Sequence, residues 1–346
     1  METRIWDLSD YQSNVQDYPQ LEEIIQCFNN GGLVCIPTET VYGLGANAYD
    51  DEAITNVFKA KGRPQDNPLI VHIHDLSQLD AFTTSIHPEA RTLMKHLWPG
   101  PISFIVPLKQ GVLSEGVSRG LDSIAVRMPS DDVCRQILKA VDLPIAAPSA
   151  NISGRPSPTT FEHVYHDMDG RVDGIIRSIQ SEAGLESTVV DCRTFPFKIA
   201  RPGVITKHML NSIVSGCVDI NEPLSLEKPI APGMKYKHYA PDVPLTILLN
   251  AGSKLPFEMN DWQKVAFIYP ERLRDTLPQD AIFIPLCKDE TDITGANRNL
   301  YASLHQLDAL PSIEQAFIYG FDGNEDNEAI MNRMEKAANY NIIRGE

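Results

Sequence analysis

Hydroxyl, amide and basic side chains concentrate in a few short segments that follow apolar runs of the chain. Residues 37–46 follow the apolar run 33–36 and combine hydroxyls, glycines and one carboxylate. Residues 61–64 place two cations where a helical pattern stops, and residues 148–157 supply hydroxyl and amide groups after another apolar run. Because open α/β sheets bind ligands beside the carboxyl ends of their strands, we expect these segments to face a ligand.

Further cations and hydroxyls stand at the ends of predicted strands. Arg127 closes one strand, residues 186–188 open another with Glu, Ser and Thr, and Arg201 follows a third. The chain has no glycine-rich Walker loop with its lysine, and no serine, cysteine or histidine stands in the local setting of a nucleophile elbow. This pattern predicts a reaction in which the protein orients two anionic reactants and neutralises phosphate charge without a covalent intermediate.

Each segment also has a purely structural interpretation. Segment 37–46 could be a turn whose glycines need positive φ, 61–64 could compensate a helix dipole, and 148–157 could be a plain turn. Gly43 and Gly45 match a dinucleotide fingerprint only loosely, because cations follow where an acidic residue is needed, and we reject a Rossmann NAD site. His72 and His74 share a strand face without a partner at ligand spacing, so we predict no metal site.

Composition bounds the class of protein. The chain has 346 residues, of which 42% are hydrophobic and 22% charged, and this length favours two domains. No apolar run approaches the roughly 18 residues of a membrane span, and the acidic N-terminus lacks a secretory signal, so we expect a cytoplasmic protein. The six cysteines form no CxxC pair, which predicts reduced structural thiols. A net charge of −16 opposes strong nonspecific binding to nucleic acid.

Helical and strand periods alternate along the first two-thirds of the chain. They predict helices over 19–28, from Asp50 or Asp51 to Gly62, from Pro88 to near Gly100, over 133–141 and over 207–214. Predicted strands cover 33–36, 69–73, 102–106, 124–127, 145–148, 174–177, 188–191 and 198–200. A proline-rich connector follows, and beyond it we predict strands 245–249, 264–269, 281–285 and 316–319 with helices 299–310 and 327–338. We therefore predict domains at 1–220 and 245–346 joined by a linker at 221–244.

Seven ordered motifs closely resemble the YrdC-like family. They are PTETVYGLGANA, KGRPQDNPLIVHI, WPGPISFIVPL, AVRMP, PSANISGRPSPT, ESTVVD and ARPGVIT. The linker APGMKYKHYAP and the small C-terminal part look like the two-domain threonylcarbamoyl-AMP synthases. The resemblance implies an α/β fold, in which a twisted mixed sheet with flanking helices is joined by an extended linker to a small Rossmann-like domain.

The resemblance also implies residue roles. The family's Lys-x-Arg…Ser-x-Asn tetrad, which lines the active-site cavity, corresponds to Lys61, Arg63, Ser149 and Asn151. L-threonine would be held by Thr40, His72, Arg127, the backbone of Ala147, and Ser187. ATP would contact Arg63, Asn67, Ser123, Ser149, Ser157, Arg201 and a linker tyrosine, Tyr239 in preference to Tyr236. The family often has an acidic residue where this chain has Arg155, so Arg155 receives no role.

The implied reaction joins L-threonine, bicarbonate and ATP. The threonine amine would capture CO₂ as a carbamate, whose oxygen attacks the α-phosphorus of ATP and displaces pyrophosphate. Arg127 would pair with the threonine carboxylate, and Lys61, Arg63 and Arg201 with phosphates. Mg²⁺ would share the triphosphate charge, and no permanently bound cofactor is expected. The product would pass to a tRNA-threonylcarbamoyl transferase complex, and the linker would cover the nucleotide.

Two alternatives remain open at this point. A YrdC-like domain without catalysis would be an RNA-binding module, although the overall acidity of the chain weakens this interpretation. Carbamoyl transfer in hydrogenase maturation uses a related domain inside much longer chains that carry zinc motifs, and those motifs are missing from this sequence.

Overall fold

The computed structural model describes residues 2–64, 67–219, 238–249 and 255–345. Contacts divide the chain into two units, and the second takes the described residues from 238 onward together with Gly154–Ser157 and Ala183–Leu185. The predicted boundaries 1–220, 221–244 and 245–346 stay a prediction. Most of the predicted linker, with Lys235, Tyr236 and Lys237, lies outside the described residues.

The first unit is built on one mixed sheet. Its described strands are β1 (Arg4–Asp7), β2 (Val34–Ile36), β3 (Gly43–Asn47), β4 (Ile70–His72), β5 (Ile102–Pro107), β6 (Ser123–Arg127), β7 (Ile145–Ala146), β8 (Gly174–Arg177), β9 (Thr188–Asp191) and β10 (Lys198–Arg201). They lie in the order β1-β8-β2-β3-β7-β4-β6-β5-β9-β10. The pairs β1–β8, β2–β8, β4–β6 and β5–β9 are parallel, and the other neighbours are antiparallel.

Helices cover this sheet. They are α1 (Leu21–Asn29), α2 (Asp51–Lys61), α3 (Leu79–Phe82), α4 (Pro88–Leu97), α5 (Glu115–Ser118), α6 (Asp132–Val141), α7 (Phe161–Met168) and α8 (Lys207–Ile213). Val34 and Ile36 pack in the core that contains α1 and α6, whereas Cys35 packs in the core that contains α2, α4 and α7. Successive residues of a strand point to opposite faces, so β2 is buried on both sides and has no polar positions.

Local signals set the bounds of α2, which positions two of the predicted site residues. The Asp50 side chain accepts a hydrogen bond from Ala53 N at 3.0 Å and caps the helix start. Gly62 adopts the left-handed conformation, with φ +59°, and ends the helix. Lys61 is therefore the last helical residue, and Arg63 lies in the loop beyond it, as the sequence predicted.

The glycines of segment 37–46 are not turn glycines, so the turn interpretation is wrong. Gly43 and Gly45 lie in β3, and neither has positive φ. A Cβ atom at Gly45 would stand 3.0 Å from Ile145 Cγ2 and 3.2 Å from Val34 O. The glycine is needed for the close packing of β3 between its neighbours, which the sequence pattern did not predict. The pattern also missed β1, β3, α3, α5 and α7.

The second unit contains a parallel sheet. Its described strands are β11 (Leu245–Leu249), β12 (Val265–Tyr269), β13 (Ile282–Pro285), β14 (Gln315–Gly320) and β15 (Ile342–Arg344), in the order β13-β12-β14-β11-β15. Its helices are α9 (Ile293–Asp308) and α10 (Glu328–Ala337). Helix α9 begins six residues before the predicted start, because the Asp292 side chain caps it by accepting from Gly295 N at 2.9 Å. The mixed sheet and the smaller parallel sheet confirm the predicted α/β fold class. Within the described residues, no helix combines the length and the apolar character that crossing a bilayer requires.

The packing of β3 gives a stability prediction. We expect Gly45→Ala to lower the free energy of unfolding by about 1–3 kcal/mol, because the added methyl group overpacks the sheet against Ile145 and the Val34 carbonyl. Gly323→Ala is the control, since a Cβ atom there meets no heavy atom within 4 Å and its φ is not in the left-handed region. Differential scanning calorimetry of both variants measures the effect. Equal transition temperatures would show that β3 relaxes around the methyl group.

Candidate active site

The side chain of Lys61 joins the end of α2 to the loop that follows β7. Lys61 Nζ donates hydrogen bonds to the carbonyl oxygens of Ser149, at 2.5 Å, and Asn151, at 2.6 Å. The Ser153 amide donates back to the Lys61 carbonyl at 2.9 Å. Lys61 is 2% exposed, and burial followed by the charge of Arg63 lowers the pKa of Lys61 to about 7. The two halves of the predicted tetrad are thus brought together, with Lys61 holding the backbone of the other half.

The backbone of this loop, at residues 148–150, also runs antiparallel to residues 42–44, at the start of β3. The Leu44 amide donates to Pro148 O at 2.8 Å, and the Ala150 amide donates to Tyr42 O at 2.9 Å. Ser149 stands opposite Gly43, where a Cβ atom would lie 3.2 Å from Ala147 Cβ. The small residue at position 43 therefore allows two of the polar segments, 37–46 and 148–157, to approach within hydrogen-bonding distance.

Asp167 also holds this loop, and the sequence reasoning missed it. Asp167 lies in α7 and is 2% exposed. Its Oδ2 accepts a hydrogen bond from the Ile152 amide at 3.0 Å, next to Asn151, whose Nδ2 donates to Ile152 O at 2.9 Å. The available signal was a carboxylate on the face of the helix that also carries the buried Val164 and Met168. The Asp167 side chain thus positions the Ser-x-Asn segment by holding the adjacent backbone amide of Ile152.

Arg127 is the centre of the predicted threonine group. Its Nη1 donates to Thr40 Oγ1 at 2.7 Å, its Nε donates to Gly100 O at 3.4 Å, and its Nη2 lies 2.6 Å from Glu39 Oε1. The guanidinium is buried, and it stands at the carboxyl end of β6. Segment 37–42 thus supplies a hydroxyl and a carboxylate to one cation. Glu39 received no role in the sequence analysis.

His72 lies directly across from Arg127 in the parallel pair β4–β6. Its Nδ1 lies 3.2 Å from the Ile70 carbonyl, which makes Nδ1 the protonated donor and leaves Nε2 as an acceptor. The Ala147 amide donates to the same carbonyl at 3.0 Å. Burial and the neighbouring Arg127 charge lower the pKa of His72 to about 3, so the imidazole is neutral at physiological pH. Four of the five predicted threonine-binding residues, Thr40, His72, Arg127 and Ala147, are therefore linked by direct contact or strand pairing.

The fifth residue, Ser187, connects to Arg201. Arg201 Nε and Nη2 donate to the Ser187 carbonyl at 3.1 and 2.9 Å, and Nη2 also lies 3.1 Å from Ser187 Oγ. Ser187 Oγ is 2.8 Å from Ser103 Oγ, and Ser103 stands across from Arg127 in β5. Ser103 was not predicted, and its only signal was a polar residue in an otherwise apolar strand. Strand register therefore places the hydrogen-bonded chain Arg201–Ser187–Ser103 beside Arg127.

Asn67 and Ser123 were assigned to ATP by resemblance. Both are buried, and among the described residues neither the Asn67 amide nor the Ser123 hydroxyl has a hydrogen-bond partner. Buried polar groups are normally satisfied, so these two have capacity for a ligand. The structure does not place Ser123 beside Arg127, because the two residues stand at opposite ends of β6, about 13 Å apart along an extended strand.

Ser157 and Tyr239 lie in the second unit. The Ser157 carbonyl is 3.2 Å from His305 Nε2, which donates to it, and Ser157 is buried. Tyr239 has a left-handed φ of +64° and is 5% exposed, with its ring centroid 5.4 Å from that of Tyr301. Arg155, which received no role from the sequence, pairs through Nη2 with Asp308 Oδ2 at 3.7 Å.

The arrangement suits charge neutralisation and positioning rather than covalent chemistry. Arg127, Arg201 and the protonated form of Lys61 are buried cations, which favours binding of anionic groups. Their partners are hydroxyls, carbonyls and, for Arg127, the Glu39 carboxylate. Burial raises the pKa of all six cysteine thiols, which keeps them protonated and poorly nucleophilic. The site can therefore hold two anionic reactants close together.

Known proteins resemble this chain over its whole length. A family model described as "Telomere recombination" (Sua5, YciO and YrdC) matches residues 26–203, and one described as "Threonylcarbamoyl-AMP synthase, C-terminal domain" matches residues 205–339. A Bacillus subtilis protein named threonylcarbamoyl-AMP synthase is 39% identical, with 99% of this chain and 100% of the relative covered. A protein of the same name from Pyrococcus abyssi is 37% identical, covering 91% and 92%.

A solved structure also matches this chain. The crystal structure of P. abyssi Sua5 complexed with L-threonine superposes with a TM-score of 0.88 at 32% identity. The match covers 99% of this chain and 100% of that one.

The neutral His72 makes stability depend on pH. Between pH 6.5 and 3 the unfolded chain binds a proton at this position that the folded chain does not, so stability falls as the pH is lowered through this range. We expect wild type to lose about 2–3 kcal/mol more than His72→Asn between pH 6.5 and 4.5, measured by urea unfolding. Asn keeps a donor near the Ile70 carbonyl. His96→Asn, at an exposed position, is the control, and equal slopes in all three proteins would contradict a buried neutral His72.

Proposed function

The chain belongs to the threonylcarbamoyl-AMP synthase family, and from that premise we propose how its own residues carry out the reaction. It is a nucleotidyltransferase that uses ATP and L-threonine to form threonylcarbamoyl-AMP, for the modification of tRNA. The observation that carries the proposal is the buried Arg127 with Thr40 and the neutral His72, in a chain whose relative of the same architecture is crystallised with L-threonine.

We assign the amino acid to this Arg127 cluster. A guanidinium has five N–H groups in a planar fork, and the three contacts to Gly100, Thr40 and Glu39 leave N–H groups available for a carboxylate. His72 presents a neutral acceptor nitrogen, and Ser187 adds a hydroxyl. Thr40, His72, Arg127, the Ala147 backbone and Ser187 would then hold L-threonine by its polar groups.

We assign the nucleotide to the remaining cations and to the buried polar groups with spare capacity. Arg201 is held by the Ser187 carbonyl, which orients its guanidinium before any ligand binds. The ATP contacts we propose are Arg63, Asn67, Ser123, Ser149, Ser157, Arg201 and Tyr239. Lys61 and Asn151 act next to them by fixing the Ser149 loop, since Lys61 Nζ holds both carbonyls.

The chemistry we propose needs no enzyme nucleophile. The threonine amine attacks CO₂ derived from bicarbonate and loses a proton, giving a carbamate anion. A carbamate oxygen then attacks the α-phosphorus of ATP, and the bond to the β,γ-diphosphate breaks, so pyrophosphate leaves. Both reactants are anions, and the buried cations reduce their repulsion while fixing their relative orientation.

Mg²⁺ enters as the magnesium complex of ATP and shares the charge of the triphosphate, with no other cofactor. Bicarbonate supplies the carbon atom, and the adenylate passes to a tRNA-threonylcarbamoyl transferase complex in the cytoplasm. The alternative of an RNA-binding module without catalysis is not favoured, because the full-length relatives are named as synthases.

An omission experiment tests the reaction. We expect pyrophosphate release to require L-threonine, bicarbonate and Mg·ATP together, and to fall to background when any one is withheld. Mass spectrometry of the reaction mixture should show threonylcarbamoyl-AMP in an amount equal to the pyrophosphate. Release without threonine or without bicarbonate would contradict the proposal.

The position of Lys61 predicts its mutational effect. Lys61→Met removes both hydrogen bonds to the 149–151 carbonyls, so we expect kcat/KM to fall more than 100-fold, or about 3 kcal/mol in transition-state stabilisation. Lys59→Met, two residues earlier and exposed on the same helix, is the matched control and should keep wild-type activity. Circular dichroism distinguishes loss of activity from loss of fold. Near-normal turnover of a folded Lys61→Met protein would refute the assigned site.

A further inference from the structure

Glu39 is a buried carboxylate that the family resemblance leaves without a role. It is 8% exposed, and its Oε1 lies 2.6 Å from Arg127 Nη2. Neither carboxylate oxygen accepts a well-formed hydrogen bond from a described residue. Burial disfavours its charge, but Arg127 and the nearby amides of Glu39 and Ser130 outweigh that effect and hold the pKa of Glu39 below its ordinary value. An anion with spare acceptor capacity therefore stands beside the cation assigned to the substrate carboxylate.

The other titratable groups near Glu39 do not duplicate it. His72 is neutral. Asp131 is close enough to interact with Glu39, but burial raises the pKa of Asp131 to about 6. Its Oδ1 is already committed to capping α6, where it accepts from Cys134 N at 2.8 Å. Among the described groups around Arg127, Glu39 is thus the carboxylate that is ionised at neutral pH and not engaged in a helix cap.

An α-amino acid carries both of its charges on one carbon atom. If its carboxylate binds Arg127, its ammonium group must lie within a few bond lengths of that guanidinium, where Glu39 is the nearest permanent anion. We propose that Glu39 binds the amino group of the substrate, so that the Arg127–Glu39 pair selects an amino-acid zwitterion. This deepens the proposed function and rests on it.

The charge balance supports this role. Without substrate, Arg127 and Glu39 neutralise each other, which avoids the large cost of an isolated buried charge. A zwitterion adds one charge of each sign, so the site stays neutral when it is filled. A 2-hydroxy acid brings only the negative charge and leaves a buried excess, which disfavours its binding.

The test compares two ligands by isothermal titration calorimetry of the full chain. The ligands are L-threonine and the 2,3-dihydroxybutanoate of matching stereochemistry, in which a hydroxyl replaces the amine. For Glu39→Gln we expect the affinity for L-threonine to fall about 10- to 100-fold, as for loss of a charged hydrogen bond. The affinity for the hydroxy acid should not fall and is expected to rise, because Glu39→Gln removes the negative charge that leaves the bound monoanion in excess. Glu162→Gln, at an exposed position, is the control and should change neither affinity.

Glu39→Asp adds a second variant in case the carboxamide disturbs the fold. It keeps the negative charge one methylene farther back, so we expect it to retain part of the preference for L-threonine over the hydroxy acid. Equal loss of affinity for both ligands in these variants would show that Glu39 acts only by supporting Arg127, and would overturn the inference. Unchanged L-threonine affinity in Glu39→Gln would also overturn it. If wild type bound no L-threonine, the proposed function itself would fail.

Discussion

A cation taken out of water must find compensation inside the protein, and this constraint organises the first unit. Three site cations, Lys61, Arg127 and Arg201, are each at most 4% exposed in a chain of net charge −16. Each of these cations is compensated by a different set of polar partners. Lys61 uses two backbone carbonyls, Arg201 uses the Ser187 carbonyl, and Arg127 uses the Glu39 carboxylate with the Thr40 hydroxyl.

The choice of partner decides what each cation can still do. A carbonyl carries no net charge, so Arg201 and the protonated form of Lys61, whose pKa is lowered to about 7, keep a positive field that can act on a nearby phosphate. A carboxylate cancels the charge of Arg127, and a buried pair of this kind adds little to stability, because desolvation offsets its Coulomb energy. The Arg127–Glu39 pair contributes little to stability, but it presents a positive and a negative group side by side. Binding of a ligand is therefore a better explanation for it than stabilisation of the fold. This contrast supports our proposal that the Arg127–Glu39 pair serves specificity, that Arg201 contacts phosphate, and that Lys61 holds the neighbouring Ser149 loop.

The sequence predicted what depends on neighbours along the chain. The bounds of α2 follow from Asp50 and Gly62, and these set Lys61 at the helix end. The sequence could not predict that Lys61 reaches carbonyls 88 and 90 residues later, because that contact depends on how β3 and β7 pair. Ser103 next to Arg127, and Asp167 under the Ser-x-Asn loop, are likewise consequences of strand order and helix packing. Motif resemblance supplied the residues that we propose to carry the chemistry but missed those that hold them in place.

These supporting contacts matter because the proposed reaction forms no covalent intermediate with the enzyme that could lower its barrier. Rate enhancement must then come from dipoles and charges already oriented before the reactants arrive, since any reorientation during the reaction costs free energy. Hydroxyl, carbonyl and carboxylate partners fix the three buried cations in advance, and the cross-strand register of β4, β6 and β5 fixes the spacing among His72, Arg127 and Ser103. Polar groups fixed at the ends of these interior strands thus take the place of a nucleophile. For the same reason a residue such as Asp167, which accepts a hydrogen bond from the Ile152 amide, contributes to the site by holding the Ser-x-Asn segment in place.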